Sequence, residues 1–182
     1  VSSAGEMSGR DARAKAEISG KLMQNARRGI GFLYCGYMLD RKRAGDDRDE
    51  DLEFLEELFA YLNSPDMLAF IARVSGREDI VRADAQCTRY SAGQYLTRHQ
   101  DVIDGQARRL AYVFGFTREW HPDWGGLLQF FGDDGAPRDA WMPSFNCLVL
   151  FDVRHVHSVT YVTPFAGADR LSITGWFHAA NP

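Results

Sequence analysis

The chain has 182 residues, of which 45% are hydrophobic and 25% charged, and its net charge is −4. This length is typical of one domain with a substantial core, and the acidic balance argues against a nucleic-acid partner, which usually requires a basic surface. No apolar run approaches the roughly 18 residues of a membrane span, and residues 1–9 lack the apolar core of a signal peptide. The three cysteines are widely spaced without a CxxC pattern, which predicts neither a disulfide framework nor a zinc ribbon. We therefore expect a cytoplasmic protein with no membrane partner.

The first third of the chain has the pattern of helices. Apolar residues recur at helical spacing in residues 9–28 and again in residues 52–62. Ser64 and Pro65 supply an N-cap and a first-turn proline for a third helix, and Gly76 is expected to end it.

Two segments lie between the first two predicted helices. Residues 32–37 are an aromatic run, which is predicted to be either a strand or a packed connector. Residues 41–51 are a charge run, which we interpret as a solvated loop whose acids suit the dipole of the following helix. The run lacks the spacing and the closing glutamate of an EF-hand, so it predicts no calcium site.

From about residue 79 the sequence changes to short segments rich in Val, Ile, Thr, Tyr and Phe, separated by Gly, Asp and Pro turns. This pattern favours a barrel or jelly roll, and with the helices it predicts an α+β chain. We expect a single domain over residues 1–182, with a helical part at 1–78 and a β core at 79–178. The predicted strands lie near residues 79–90, 94–101, 109–117, 126–131, 146–153, 157–163 and 170–178.

The second predicted strand contains the pattern of a metal site. His99 and Asp101 are two residues apart, so on a strand both side chains project from one face. An imidazole and a carboxylate placed in this way are two of the three ligands of the 2-His-1-carboxylate triad, which holds Fe(II) and leaves coordination positions open. The third ligand must come from another strand, and neither parity nor spacing distinguishes His155 from His157. The remaining histidines are predicted to pack or to cap: His121 and His178.

Arg170 and Ser172 form a second candidate site. An inward-facing arginine on a strand is costly unless an anion pairs with it. If the strand directs both side chains to one face, a guanidinium fork and a hydroxyl lie side by side, which suits a carboxylate ligand. The ordered set of an HxD motif, a later histidine and an ArgxSer motif therefore predicts a metal site with a carboxylate-binding group on a neighbouring strand.

Six motifs between about residues 80 and 178 are shared with a known family. They are Thr88-Arg-Tyr90, His99-Gln-Asp101, Arg108-Arg-Leu-Ala-Tyr112, Trp124-Gly-Gly-Leu-Leu-Gln-Phe130, His157-Ser-Val and Arg170-Leu-Ser-Ile-Thr-Gly-Trp176. In these motifs the chain resembles the prolyl 4-hydroxylase-like branch of the 2-oxoglutarate/Fe(II) dioxygenases, and more narrowly the ribosomal-protein prolyl hydroxylases and their bacterial relatives.

The resemblance implies a fold and a choice of metal ligands. The fold is expected to be a double-stranded β-helix, a cupin-like jelly roll, packed on N-terminal helices. The family's third ligand is the histidine of a His-Ser-Val stretch, so the resemblance implies the ligands His99, Asp101 and His157. The role of His155 stays open.

The same resemblance implies the cosubstrate site and the reaction. Arg170 is expected to bind the distal carboxylate of 2-oxoglutarate, with Ser172 nearby and Tyr90 holding the same carboxylate. The expected cofactors are Fe(II), 2-oxoglutarate and O2, with ascorbate as a further candidate. The reaction would hydroxylate an unactivated C–H bond and decarboxylate 2-oxoglutarate to succinate.

The expected substrate is a prolyl residue of a protein or peptide, with ribosomal and translation proteins as candidates. Two alternatives stay open, namely a hydroxylase of a free amino acid or small metabolite and a noncatalytic metal-binding or sensing module. Asp101 argues against the halogenases of the superfamily, which lack this ligand, and Trp176 against its nucleic-acid demethylases, which carry an arginine there. Because relatives carry further N-terminal elements, we expect the chain to start late, either as a natural short form or as a truncated one.

Overall fold

The structure is a computed structural model that describes residues 11–39 and 50–180. Residues 1–9 and most of the charge run at 41–51 lie outside these ranges, so the interpretations of both segments stay predictions. Within the described ranges, no helix is long and apolar enough to cross a membrane.

Three helices lie close to their predicted positions: α1 (Ala12–Ala26), α2 (Glu50–Leu62) and α3 (Pro65–Ser75). The boundaries of α3 follow the local signals in the sequence. The Ser64 side chain accepts a hydrogen bond from the Met67 N–H at 3.3 Å, which satisfies a backbone donor of the first turn. Gly76 ends the helix at φ 70°, a left-handed conformation that glycine adopts without strain.

The described residues form eleven strands, which are joined in two antiparallel sheets. The aromatic run at 32–37 contributes two of them, so it is not a connector. The strands are β1 (Phe32–Leu33), β2 (Cys35–Met38), β3 (Ile80–Ala83), β4 (Gln86–Tyr90), β5 (Tyr95–His99), β6 (Arg108–Gly115), β7 (Leu128–Phe131), β8 (Pro137–Trp141), β9 (Cys147–Asp152), β10 (His157–Val159) and β11 (Arg170–Ala179).

The strand order in the two sheets confirms the predicted double-stranded β-helix. One sheet has the order β1-β5-β10-β7-β8, and the other has the order β2-β4-β11-β6-β9 with β3 added beside β11. From β4 onwards the chain crosses from one sheet to the other at every step except the β7–β8 hairpin. This alternation wraps the chain into a jelly roll with a space between the two sheets.

Three details of the predicted strands differ from the structure. The strand predicted at 79–90 is interrupted at Asp84 and Ala85, which separate β3 from β4. β8 was not predicted, because its residues are all exposed and lack an alternating apolar pattern. The strand predicted at 94–101 ends at His99, two residues before Asp101.

The β6–β11 sheet has an apolar cluster on the face that packs on α2 and α3. Ile71 of α3 and Phe177 of β11 are 0% and 1% exposed, and both belong to this cluster. Burying such a side chain contributes roughly 1.5 to 3 kcal/mol, so the helices hold the sheet rigidly from outside. A second, smaller cluster contains Tyr90, Val159 and Val162.

Candidate metal centre and anion pocket

Strand pairing places two histidines side by side. In the antiparallel pair of β5 and β10, His99 lies opposite His157, and Phe130 of β7 flanks His157 on its other side. Directly opposed residues have Cβ atoms about 5 Å apart, and the two imidazole centroids are 4.2 Å apart. The register of these strands therefore brings together two residues that are far apart in the sequence.

Asp101 joins the histidines from just beyond the end of β5. The prediction that Asp101 lies on the strand was wrong, because its backbone N–H donates to the Val153 carbonyl at 3.0 Å and not to a ladder partner. Its carboxylate nevertheless faces both rings. Oδ1 lies 3.4 Å from Nε2 of His99, and Oδ2 lies 3.5 Å from Nε2 of His157.

The protons on the two rings lie on the side away from this cluster. Nδ1 of His99 is 2.9 Å from the Thr97 carbonyl oxygen, and Nδ1 of His157 is 2.9 Å from the His155 carbonyl oxygen. A carbonyl oxygen only accepts, so each Nδ1 carries a proton, and in the neutral ring Nε2 presents a lone pair. Two lone pairs and a carboxylate thus face one point, an arrangement that suits a bound cation.

The geometry of the cluster fits a divalent metal ion. Ligand atoms of the three residues all lie within 4.8 Å of one another. Atoms bound about 2.1 Å from one ion at right angles lie about 3.0 Å apart, a few tenths of an ångström less than the two distances to Asp101. Burial lowers the pKa of His157, with a further contribution from the neighbouring His99 ring, which favours the neutral metal-binding form. Burial by itself raises the pKa of Asp101, but the contacts with His99 and then His157 outweigh it and lower that pKa.

His155 lies outside the cluster. It belongs to the turn before β10, its side chain is exposed, and its ring centroid is 6.4 Å from that of Phe130. Its contribution is the backbone carbonyl that accepts from His157. Strand parity could not separate the two histidines because His155 is not on a strand.

Arg170 is a buried cation at the start of β11. It is 3% exposed, and within the described residues no carboxylate is near enough to influence its pKa, which burial lowers. Nη1 donates to the Ser172 hydroxyl at 3.2 Å, whereas Nε has no hydrogen-bond partner in the described part of the chain. A buried guanidinium with spare donors is costly unless an anion binds to it.

Tyr90 and Ser172 have different positions around this arginine. Tyr90 lies opposite Arg170 in the β4–β11 pair, and its ring centroid is 5.2 Å from the guanidinium carbon. The Ser172 hydroxyl bonds with that of Thr88 at 2.8 Å as well as with Arg170. Of these residues, Thr88, Tyr90 and Arg170 line the main cavity, whereas Ser172 does not. Ser172 is thus placed to orient the guanidinium.

One cavity of about 550 Å³ contains the metal cluster and Arg170. Two aromatic contacts in the lining of this cavity were not predicted from the sequence. Tyr34 of the β1–β2 connection stacks on Tyr90 with ring centroids 4.9 Å apart. Arg108 lies over the Trp176 ring, with its guanidinium carbon 3.4 Å from the centroid. In the sequence Arg108 is part of a shared motif, and no local pattern indicates that its side chain lines the cavity.

The fold and the site together define a class, namely jelly-roll proteins with an open His-Asp-His metal site beside a buried arginine. A family model described as "2OG-Fe(II) oxygenase superfamily" matches residues 85–178, just over half of the chain. This chain belongs to the 2OG-Fe(II) oxygenase superfamily. The resemblance seen in the sequence motifs is therefore confirmed.

Named relatives within the superfamily are prolyl hydroxylases. The chain is 33% identical over 123 residues to the mouse prolyl 3-hydroxylase OGFOD1, covering 64% of this chain and 22% of that protein. It is 33% identical over 111 residues to the Drosophila melanogaster prolyl 3-hydroxylase sudestada1, covering 52% and 19%. The chain thus spans about a fifth of the length of the relatives it matches.

Solved structures support the fold. A prolyl-4-hydroxylase from Pseudomonas putida has a TM-score of 0.62 at 22% identity, covering 93% of this chain and 88% of that one. A Trichoplax adhaerens prolyl hydroxylase, solved with a hypoxia-inducible-factor peptide fragment, has a TM-score of 0.55 at 21% identity, covering 90% and 79%. At these identities the likeness concerns the fold alone.

Proposed function

We propose that this chain is an Fe(II)- and 2-oxoglutarate-dependent hydroxylase that acts on a prolyl residue of a protein. The observation that carries the proposal is a single cavity that holds three converging metal-ligand atoms and a buried arginine without a carboxylate partner among the described residues. An iron site alone would fit many chemistries, but the added anion pocket fits a cosubstrate with a carboxylate at its far end.

The metal-ligand residues, Arg170 and Ser172 each have a role in this proposal. His99, Asp101 and His157 hold the iron through Nε2 and carboxylate atoms, and their hydrogen bonds to backbone carbonyls keep the rings oriented. The Arg170 fork binds the distal carboxylate of 2-oxoglutarate, with the Ser172 hydroxyl fixing the guanidinium. The bound iron and 2-oxoglutarate supply O2 activation, with oxidative decarboxylation to succinate and CO2.

The mouth of the cavity supports a peptide over a small metabolite. Two apolar side chains on the loops that line it, Ile30 and Ile103, are 67% and 44% exposed. Arg108 lines the same cavity, and its Nε has no hydrogen-bond partner among the described residues. Apolar contacts in a cavity lined by a guanidinium suit a peptide, whose carbonyls accept hydrogen bonds and whose side chains need burial. The similarity to named prolyl hydroxylases supports the prolyl acceptor, and the resemblance to ribosomal-protein hydroxylases supports a ribosomal or translation protein as substrate.

The reaction is tested by succinate release from 2-oxoglutarate with Fe(II) and ascorbate as reductant. We expect release above that of a His99→Ala control, because the control lacks one of the three metal ligands. Equal rates for both proteins would favour the noncatalytic metal-binding alternative.

The substrate is tested by incubating the protein with cell extract and searching for peptides that gain 16 Da at proline. We expect such peptides with the wild-type protein and not with His99→Ala. If the small-molecule fraction of the extract stimulates succinate release and the protein fraction does not, the substrate is a metabolite and the protein assignment is wrong.

A further inference from the structure

A buried aspartate outside the metal centre forms hydrogen bonds with the strand that carries Trp176. Asp84 lies at the interruption between β3 and β4 and is 8% exposed. Its backbone N–H donates to the Trp176 carbonyl at 3.1 Å, and its Oδ1 accepts from the Trp176 N–H at 2.7 Å. A Cβ at Gly175 would collide with the Asp84 carbonyl oxygen, so Asp84 lies directly against β11. Both backbone groups of Trp176 are thus bound to one residue.

The second carboxylate oxygen of Asp84 is fixed by His178. Nη2 of Arg82 lies 3.1 Å from Nδ1 of His178, and a guanidinium only donates, so this nitrogen accepts and the ring proton is on Nε2. Nε2 then donates to Oδ2 of Asp84 at 2.9 Å. His178 is 2% exposed. The carboxylate therefore has one orientation, with a separate partner for each oxygen.

Trp176 connects this buried cluster to the main cavity. Its indole lines the cavity and carries the Arg108 guanidinium on its face. Nη1 of Arg108 reaches the Asp101 carbonyl oxygen at 3.5 Å, and Nε has no hydrogen-bond partner among the described residues. Burial lowers the pKa of Arg108, and the negative charge of Asp84, ahead of that of Asp101, opposes the shift. The position of the Arg108 guanidinium at the cavity thus depends on where the indole lies.

We propose that Asp84, oriented by His178, is a positioning residue that fixes Trp176 and thereby aims the Arg108 guanidinium at a carbonyl of the bound peptide. The peptide part rests on the proposed function, whereas the control of Trp176 does not. Apolar residues would fill this interior at a lower desolvation cost than a carboxylate and an imidazole. What the polar pair adds is a single orientation for β11 at the cavity wall.

Four variants separate positioning from simple packing. Asp84→Asn keeps the volume and an acceptor for the Trp176 N–H, but its amide donor then faces the Nε2 donor of His178. His178→Leu removes the donor to Asp84, whereas His178→Gln retains one. Asp79→Asn is the matched control, since Asp79 is an exposed aspartate of the same region that pairs with Arg109 at 2.7 Å.

The first measurement uses metal-free protein and needs no activity. Of the four tryptophans, Trp176 is assigned by the indole N–H resonance that Trp176→Phe removes from ¹⁵N-tryptophan spectra. We expect Asp84→Asn and His178→Leu to shift or broaden this resonance, while Asp79→Asn and His178→Gln leave it in place. An unchanged resonance in folded Asp84→Asn overturns the proposal, and if that variant does not fold, His178→Leu decides in the same way.

The second measurement compares Michaelis constants in the loaded enzyme, with the peptide found in the extract experiment as probe. Asp84→Asn is expected to raise the apparent KM for the peptide about tenfold, the effect of one misaligned charge-assisted hydrogen bond, and to leave that for 2-oxoglutarate unchanged. Equal increases in both KM values would mean that the substitution disturbs the whole cavity, which would contradict the positioning role of Asp84. If wild-type protein releases no succinate, the proposed function fails, and the resonance measurement alone decides the role of Asp84.

Discussion

At the scale of single residues, the difference between His155 and His157 is one of backbone position. His157 lies on β10 opposite His99, with its ring aimed at Asp101, whereas His155 lies in the preceding turn with an exposed ring. The turn still matters, because its carbonyl holds the proton on Nδ1 of His157. A main-chain group serves this purpose whatever side chain residue 155 carries.

We therefore predict that His157→Ala and His155→Ala affect metal binding very differently. Loss of His157 should weaken binding of Mn(II), a redox-stable substitute for Fe(II), by more than about 100-fold, since loss of a supporting hydrogen bond alone costs 10- to 100-fold. His155→Ala keeps the backbone carbonyl and should bind Mn(II) with a dissociation constant within about threefold of that of wild type. Calorimetric titration of both variants measures this, and equal losses would contradict the assignment of the third ligand.

Arg170 is the second residue whose environment implies a ligand. It has no nearby carboxylate in the described part of the chain, so its buried charge is a liability to the empty fold. Arg170→Met removes the charge while keeping most of the volume. The surface neighbour Arg89, which faces Asp169 at 3.8 Å, offers a matched control.

We predict that Arg170→Met raises the apparent KM for 2-oxoglutarate by at least about tenfold, because a charge-assisted fork is lost. Mn(II) affinity and the unfolding temperature without 2-oxoglutarate should not fall, since an apolar side chain suits this site at least as well as an unpaired cation. Arg89→Met should change none of the three quantities. Unchanged 2-oxoglutarate kinetics in Arg170→Met would remove the anchoring role.

At the scale of elements, the turn between β9 and β10 is held by Asp152. Its Oδ1 accepts from the backbone N–H of Arg154 at 3.0 Å and from Nε of the same residue at 2.9 Å. Its Oδ2 accepts from Arg77, which follows α3, at 3.3 Å. The side-chain bond from Arg154 is the main cause that lowers the pKa of Asp152 to about 2. The Asp152 carboxylate thus links the turn that leads to His157 with the segment that follows α3.

This lowered pKa predicts a stability change in acid. A folded-state pKa of about 2 lies below the ordinary value of 3.8, so the contribution is complete above about pH 4 and is lost as the pH falls towards 2. Because Arg154 is largely exposed, solvent screening limits the effect to about 1 to 2 kcal/mol. Urea unfolding between pH 5 and pH 2 should show that the free energy of unfolding falls less on acidification in Asp152→Asn than in wild type. Parallel curves of unfolding free energy against pH for the two proteins would contradict this prediction. Asp139→Asn is the control for the loss of one surface charge.

The elements also differ in how well local sequence predicts them. Both ends of α3 followed from Ser64, Pro65 and Gly76, because caps act within one helical turn. The break between β3 and β4 had no such signal, since Asp84 is held there by contacts with a strand about 90 residues later. β8 escaped prediction because an exposed edge strand has no apolar face to produce a period of two.

At the scale of the whole molecule, the metal site joins two strands of one sheet with the loop after β5. Metal that binds only the folded arrangement should therefore stabilise the entire domain. At about 100 times the dissociation constant the gain is about 2.7 kcal/mol, which corresponds to an increase of about 5 to 10 °C in unfolding temperature for a domain of this size.

We predict this increase for wild type with Mn(II), measured by differential scanning calorimetry, and its loss on adding a chelator. Asp101→Asn should show little increase, because the amide is a weaker ligand than the carboxylate. 2-Oxoglutarate should add a further increase only when the metal is present, since its chelate needs the ion. An equal shift in Asp101→Asn would mean that Mn(II) stabilises the protein from another site.

Local signals in the sequence were sufficient for the helices, for the change to short strands, and for the nomination of His99, Asp101 and Arg170. Each of these depends on neighbours a few residues away or on the residue type itself. Parity and spacing did not separate His157 from His155; the family resemblance favoured His157, and the tertiary structure placed it beside Asp101. The tertiary structure alone put Asp84 against Trp176 and Arg108 in the cavity. The physical reason is that strand register and sheet order depend on pairing between distant segments, whose free energy no local pattern contains.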